Sequence, residues 1–194
     1  MSHALRRILW PAIVILATMT LLTGVAYPAL VTAVAQAVFP HQANGSMLVL
    51  ADGRAVGSTL IGQPFSDPSY FWGRPSAAGA GGYDASASGG SNLGPTSAAL
   101  IERIGAEVDR LQQAHGDAAV PVDLVTTSAS GLDPHISPAA ADYQVRRVAA
   151  ARAMNDADVR ALVSRHTQAP LLGFLGQARV NVLELNLDLD GLLP

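Results

Sequence analysis

Apolar residues run without a charged side chain from Ile8 to Phe39, with Arg6 and Arg7 just before the run and Asp52 the next charge after it. An uncharged stretch this long exceeds the ~18–20 residues that read as a membrane-spanning helix. Trp10 and Tyr27 would lie about 25 Å apart on a helix rising ~1.5 Å per residue. That is close to the ~30 Å hydrocarbon thickness, so each ring can sit at one interface. The lipid span is then about residues 10–30. Pro28 falls at the outer boundary, where it is expected to bend the helix. Beyond it Leu30, Val31, Val34 and Val38 recur at helical spacing opposite Thr32 and Gln36, so a short amphipathic extension is expected to end at Pro40. The rival reading is a secretory signal peptide cleaved near Ala33-Val34-Ala35. A signal core is usually about 7–15 residues, and the longer run from Ile8 to Leu30 favours an anchor.

After the run, Asp52-Gly53 between apolar stretches predicts a hairpin with strands Ser46–Ala51 and Arg54–Ile61. Gln63–Pro95 is rich in Pro and Gly and reads as a long loop holding the cluster Tyr70-Phe71-Trp72. A loop of this length points to a binding or docking role. Within it Ala77–Gly82 reads as a flexible spacer. Thr96–Ala114 is predicted to be a helix capped by Thr96 or Ser97, with Ile101, Ile104, Val108 and Leu111 as its apolar stripe. Val120–Val125 is a short strand candidate. Ser128–Ser137 is a second polar loop.

Ser137-Pro138 opens a helix to about Met154, with Val145, Val148 and Ala149 inward and Arg146, Arg147 and Arg152 on the polar side. Asp156 is expected to cap a further helix to about His166, with Val159, Leu162 and Val163 inward. Gly173 and Gly176 mark turns. Val180–Leu189 alternates Leu183, Leu185, Leu187 and Leu189 with Glu184, Asn186 and Asp188, a period of two that predicts a strand. The fold class is a single N-terminal transmembrane helix followed by a mixed α/β soluble ectodomain. Its organisation is an N-terminus at 1–7, the helix and extension at 8–39, and the α/β domain at 40–194.

Composition narrows the chemistry. With 49% apolar but only 5% aromatic residues, the core must be built from Leu, Val, Ile and Ala. All twelve basic residues are Arg, which closes the Walker A route to ATP and Schiff-base catalysis. The absence of Cys removes disulfides, thiolate catalysis and Cys-ligated zinc. Ten Arg beyond Arg6 and Arg7, against fifteen acidic residues, leave the rest of the chain near −5, unsuited to nucleic acid. Arg6 and Arg7 on the N-terminal flank place the N-terminus in the cytoplasm by the positive-inside rule. The α/β domain is then expected in the periplasm of a bacterial inner membrane.

Two segments invite a chemical reading. Ser88-Gly89-Gly90-Ser91-Asn92, continuing to Pro95, could cradle an anion on backbone N–H groups at the start of a helix. It could also be a rigid turn; as a nucleophile elbow it fails, because Leu93 stands where Gly is required. Asp133 and His135 could form an acid–base or metal pair, or simply the turn chemistry that precedes a helix. Tyr70, Phe71 and Trp72 are either core or a docking patch. From the residues alone nothing is convincingly catalytic.

Gly62-Gln63-Pro64-Phe65, Tyr70-Phe71-Trp72-Gly73-Arg74-Pro75-Ser76, Ser88–Pro95, Pro121–Thr126, Ser130–Pro138 and Arg179–Asn186 together resemble the C subunit of the Kdp potassium-transporting ATPase, in the same order and over nearly the whole chain. Ala77–Gly82 is the departure from the family pattern. The resemblance implies a non-catalytic subunit of a membrane complex, needed for assembly and activity. Its partners would be a channel-like K⁺-translocating subunit, a P-type ATPase subunit with a phosphorylated Asp, and a small single-span subunit, together with membrane lipid. ATP, Mg²⁺ and K⁺ would belong to the complex, with no cofactor held by this subunit. The family is described as a catalytic chaperone that raises the ATPase subunit's affinity for ATP. That makes Ser88, Gly89, Gly90, Ser91 and Asn92 candidates for nucleotide contact, with Tyr70, Phe71, Trp72, Arg74, Asn92, Asp133 and His135 as candidate docking residues. Arg6, Arg7, Trp10, Tyr27 and Pro28 are the expected interface anchors. Direct nucleotide binding through the Ser/Gly loop and an exported hydrolase are the alternatives.

Overall fold

The computed structural model describes residues 3–192, and the chain divides into two compact units, Met1–Met47 and Leu48–Pro194. The first unit is helical. α1 (His3–Leu21) passes through a single π-helical turn (Leu22–Ala26) into α2 (Tyr27–Val38), and α3 (Pro40–Ala43) is one further turn. The stretch Leu5–Val38 is long and apolar enough to cross a membrane, and none of its most apolar window is buried within the protein. Pro28 explains the π turn. Its ring would clash with the carbonyl four residues back and it has no N–H to offer. The Tyr27 N–H reaches instead to Leu22 O, five residues back, so the helix takes up one extra residue where the sequence predicted a bend. Phe39, pushed off helical geometry by the following Pro40, ends α2 at φ −132°. The Gln36 and Asn44 amides pair at 3.2 and 3.3 Å. They tie Asn44 back to the helix.

The second unit begins with the expected hairpin. β1 (Met47–Val49) and β2 (Ala55–Ser58) form a two-stranded sheet. Gly53 takes φ +83° in the turn, and the Leu50 N–H donates to Arg54 O at 2.9 Å. The predicted helices follow: α4 (Ala98–His115), α5 (Pro138–Arg152) and α6 (Asp156–Arg165). Ser137 caps α5 by accepting from the Ala140 N–H at 3.0 Å. Asn155, not Asp156, occupies the N-cap position of α6. A second sheet places β5 (Arg179–Asn181) between β3 (His135–Ile136) and β4 (Thr167–Gln168), all antiparallel. The helices bury Leu111, Val145, Val148, Val159 and Val163 against Val180 and Leu185.

Two predicted strands are corrected. Only Arg179–Asn181 of the C-terminal run is extended; Val182–Leu189 is helix α7. The Asn181 side chain accepts from the Glu184 N–H at 3.1 Å, an N-cap that starts the helix. Val182, Leu183, Leu185, Asn186 and Leu187 are all buried, so the alternation of types does not mark one wet face. Val120–Val125 is not a strand either. Pro121 leads into a 3-10 turn at Val122–Leu124, which presents Asp123 to the Ser137 N–H and Oγ at 2.7 and 3.1 Å.

Candidate functional site

The long segment 62–95 has no regular secondary structure, yet its centre lies in the core. Phe71 is fully buried and Trp72 nearly so. Backbone groups that enter a core without a strand partner need others, and two buried amides supply them. The Phe71 N–H donates to Asn186 Oδ1 at 2.8 Å, and Asn186 Nδ2 donates to Phe71 O at 3.0 Å. The Trp72 N–H donates to Gln144 Oε1 at 2.8 Å, and Gln144 Nε2 donates to Trp72 O at 3.1 Å. Arg147 and Arg110 lie over the Trp72 ring, with guanidinium carbons 3.8 and 4.6 Å from its centroid. Arg147 also donates to Tyr70 O, Pro68 O and Gln144 Oε1. Burial, and then the Arg110 charge, lower its pKa to about 10. Arg152 donates to Ser69 O, to Leu189 O at the end of α7 and to Asp190, and Asp190 also accepts from the Tyr70 hydroxyl at 2.8 Å.

Beyond Trp72 three loops meet. Ser76 Oγ donates to Gly131 O at 2.6 Å and accepts from the Tyr83 N–H at 2.7 Å. The Tyr83 hydroxyl donates to Arg74 O at 2.6 Å. Its pKa is pushed up to about 12 by burial and then by the Asp133 charge, with Arg74 opposing. The Gly62 N–H donates to Leu132 O and the Gly89 N–H to Ser130 O, both at 2.8 Å. Gly131 sits at the centre with φ +67°, and a Cβ there would stand 2.5 Å from Gly89 O and 2.7 Å from Ala78 N.

Arg74 spans the junction. It donates to Thr126 O and Thr127 O and pairs with Asp133 at 3.3 Å. Asp133 Oδ1 accepts from the His135 N–H at 3.0 Å and lies 3.1 Å from His135 Nδ1. Burial raises the Asp133 pKa, but the hydrogen bonds from His135, its charge and that of Arg74 outweigh this and leave it below the usual carboxylate range. A cleft of about 480 Å³ opens beside the pair, lined by Arg74, Asp123, Asp133, His135, Ser137 and Arg179. Ser137 Oγ, the hydroxyl in that cleft, donates to Asp123 Oδ1 at 3.1 Å and accepts from the Ala140 N–H at 3.0 Å, the bonds of a helix cap. Among the described residues no three His, Cys, Asp or Glu side chains cluster so as to hold a metal ion.

The family model for "K+-transporting ATPase, c chain" (KdpC) matches residues 9–191. The chain belongs to the KdpC family. Among its relatives, the Potassium-transporting ATPase KdpC subunit of Sorangium cellulosum is 64% identical over 183 residues, 93% of this chain and 96% of the relative. That of Polaromonas naphthalenivorans is 59% identical over 192 residues, 98% and 97% of the two chains. That of Koribacter versatilis is 55% identical over 175 residues, 90% of each.

Several of the stretches read in the sequence as resembling the family meet at this junction, among them Arg74-Pro75-Ser76, Ser88-Gly89 and Ser130–Asp133. Of the Ser/Gly loop, Ser88 Oγ donates to Ser130 O at 3.0 Å and the Gly89 N–H is engaged, while Gly90 packs on the Ala129 backbone. Asn92 takes φ +51°, and Ser91 lies beside it, half-buried. Of the candidate docking residues, Phe71 and Trp72 are core, whereas Tyr70, Arg74, Asp133 and His135 keep part of their surface. Ala77–Gly82 is not a loose spacer: Ala78 is fully buried, and Gly79 at φ +69° lies against Asp84. In the first unit Arg6, Arg7, Trp10 and Pro11 line one hollow, and Trp10 and Tyr27 are both exposed. Sequence reasoning passed over Gln144 and Tyr83, and it set Asn186 on the polar side of a strand and Arg147 and Arg152 on the solvated face of a helix. The available signal was an amide in place of an apolar residue on two buried stripes, between Ala141 and Val145 in α5 and between Leu185 and Leu187 in α7.

Proposed function

We propose that the chain is a non-catalytic accessory subunit of an ATP-driven, high-affinity potassium uptake complex, required for its assembly and activity. The observation that carries this is the KdpC match over residues 9–191, which takes in the apolar helix as well as the folded unit. Arg6 and Arg7 keep the N-terminus in the cytoplasm, and the C-terminal unit stands in the periplasm of the inner membrane. The helix packs against a channel-like K⁺-translocating subunit, and the P-type ATPase and small single-span subunits complete the complex. ATP, Mg²⁺ and K⁺ are handled by those partners, and the catalytic Asp lies on the ATPase subunit. Any rise in that subunit's ATP affinity is then transmitted mechanically. Direct nucleotide binding by residues 88–92 is disfavoured because the Gly89 N–H and the Ser88 hydroxyl already hold Ser130, leaving a poor phosphate cradle.

The test is copurification of the tagged full chain from membranes, with K⁺-dependent ATPase activity measured with and without it. The expected result is that the three partners come with it and that activity is lost in its absence. A complex that assembles and works fully without the chain would sink the proposal. Labelling a Ser91→Cys variant with a membrane-impermeant thiol reagent added from the periplasmic side decides the orientation; labelling only from the cytoplasm would reverse it.

A further inference from the structure

Between β4 and β5 the chain turns through a tight hairpin whose side chains are apolar and uncovered. Leu171, Leu172 and Phe174 are 70, 76 and 73% exposed, and Leu175 is 49% exposed. Four large apolar side chains at one turn are not the scattered singles that any surface carries. The turn is closed: Leu171 and Leu175 exchange backbone bonds at 3.0 and 2.9 Å, the Gly173 N–H donates to Pro170 O at 3.0 Å, and the Phe174 N–H donates to Leu171 O at 3.3 Å. Leu172 and Gly173 take φ +55° and +79°, so a leucine is held in the left-handed region with its side chain presented outward.

We propose that this tip inserts into the headgroup–acyl boundary of the membrane that the chain's own helix crosses. Three observations favour lipid over a protein groove. First, the N–H groups of Leu171, Gly173, Phe174 and Leu175 are already bonded within the tip, which lowers the cost of bringing this backbone toward the acyl chains. Second, residues 169–176 offer no polar side chain, whereas a protein interface sets an apolar centre in a polar rim with directed hydrogen bonds. No charge occurs from Thr167 to Ala178; of the arginines that bound this stretch, Arg165 pairs with Asp188 at 3.3 Å, whereas Arg179, exposed and bonded by Nε to the neutral Gln168, carries the positive charge beside the tip, as suits lipid phosphates. Third, only residues 39–46 join α2 to β1, and a chain of that length spans at most about 30 Å. The unit therefore never leaves the neighbourhood of a bilayer, whichever face it occupies.

The chain has no cysteine, so single labels are clean. Leu172→Cys and Phe174→Cys, each carrying a nitroxide, are reconstituted as full chains in phosphatidylethanolamine/phosphatidylglycerol vesicles, with Asp117→Cys as the reference and Leu171→Cys as a second tip site. Power-saturation EPR then compares collision with oxygen against collision with a soluble nickel chelate. The expected oxygen-to-chelate ratio at the tip is several-fold above that at position 117. It falls to the reference value when Leu171→Asp is added to Phe174→Cys, with the unfolding midpoint unchanged. Water-like ratios at all three tip positions would overturn the proposal. So would protection that arises only when the partner subunits are added, since a protein would then be the cover.

Discussion

Replacing Asn186 with Leu tests whether buried amides, rather than shape, hold segment 62–95 in the core. The side chains are similar in size, and Asn186 is only 1% exposed. The substitution leaves the Phe71 N–H and C=O, now bonded at 2.8 and 3.0 Å, without partners. Each buried backbone group left unmade costs about 1–3 kcal/mol, so the pair costs about 2–6 kcal/mol, of which the extra apolar burial of Leu returns roughly 1–2 kcal/mol. A net loss of about 3 kcal/mol, with a urea slope near 2 kcal/mol per molar, lowers the unfolding midpoint by about 1.5 M. Trp10→Phe leaves Trp72 as the sole tryptophan, seated between two guanidiniums, and its emission reports the transition. A midpoint shift below about 0.3 M, or a gain in stability, would refute the reasoning. Gln144→Leu should cost a similar amount. Because the two amides hold adjacent residues, the double variant should lose less than the sum of the singles, by about 1 kcal/mol. Strict additivity would show that Phe71 and Trp72 are held independently.

Gly131→Ala should destabilise by at least about 2 kcal/mol, since it combines a left-handed backbone with a clash against Gly89 O and Ala78 N; the urea midpoint and proteolysis within residues 76–92 check it. His115 is driven down to about 4 by burial and then by the Arg147 and Arg110 charges. The unfolded chain, titrating near 6.5, therefore takes up the proton first, and stability falls as pH drops from about 6.5 to about 4. Partial exposure limits the loss to about 1–2 kcal/mol, and His115→Gln should remove that part of the slope; urea midpoints at pH 7.5 and 4.5 that fall equally in both proteins would contradict it. Pro28→Ala restores the missing N–H and should convert the π turn to α-helix, rotating the two halves of the apolar run by about 100°. A lipid-accessibility scan from Leu16 to Val34 reads that phase, and an unchanged pattern would show that Pro28 does not cause the turn.

The elements legible in the sequence are those whose signals are local. Asp52-Gly53 supplies its own turn geometry, Ser137-Pro138 supplies both a cap and a first helical residue, and the stripe Ile101–Leu111 repeats at a helical period. The misread C-terminal run shows the limit. Alternation of apolar and polar types implies a strand only if the polar residues face water, and Asn186 faces Phe71 in the core. A local signal for the helix, Asn181 three residues before Glu184, is not used in reading that run as a strand. Likewise Arg147 and Arg152 occupy positions that a helical wheel assigns to solvent. It is the arrival of segment 68–72 over α5 that turns Arg147 into a stacked partner of Trp72 and Arg152 into a tie between Ser69 and the end of α7. Contacts between residues far apart in sequence leave no periodic trace.

The same long-range contacts explain why the motif-rich loops looked chemical. Glycine and serine in short runs are the residues of phosphate cradles, but also of places where backbones touch. Here Gly62 and Gly73 lie against the Tyr83 ring, Gly131 lies against Gly89 and Ala78, and Ser76 Oγ bridges two loops. A cradle needs N–H groups free to point at a ligand, and a junction uses them on its own carbonyls. The distinction is made by where the donors go, and at Gly62, Gly89 and Tyr83 they go to the protein. A scaffold closed on itself in this way presents function through its surface. Among the described residues, large apolar side chains stand exposed together along the N-terminal helix and at the Leu171–Leu175 tip, and it is there, not in the Gly/Ser loops, that the surface departs from an ordinary polar one.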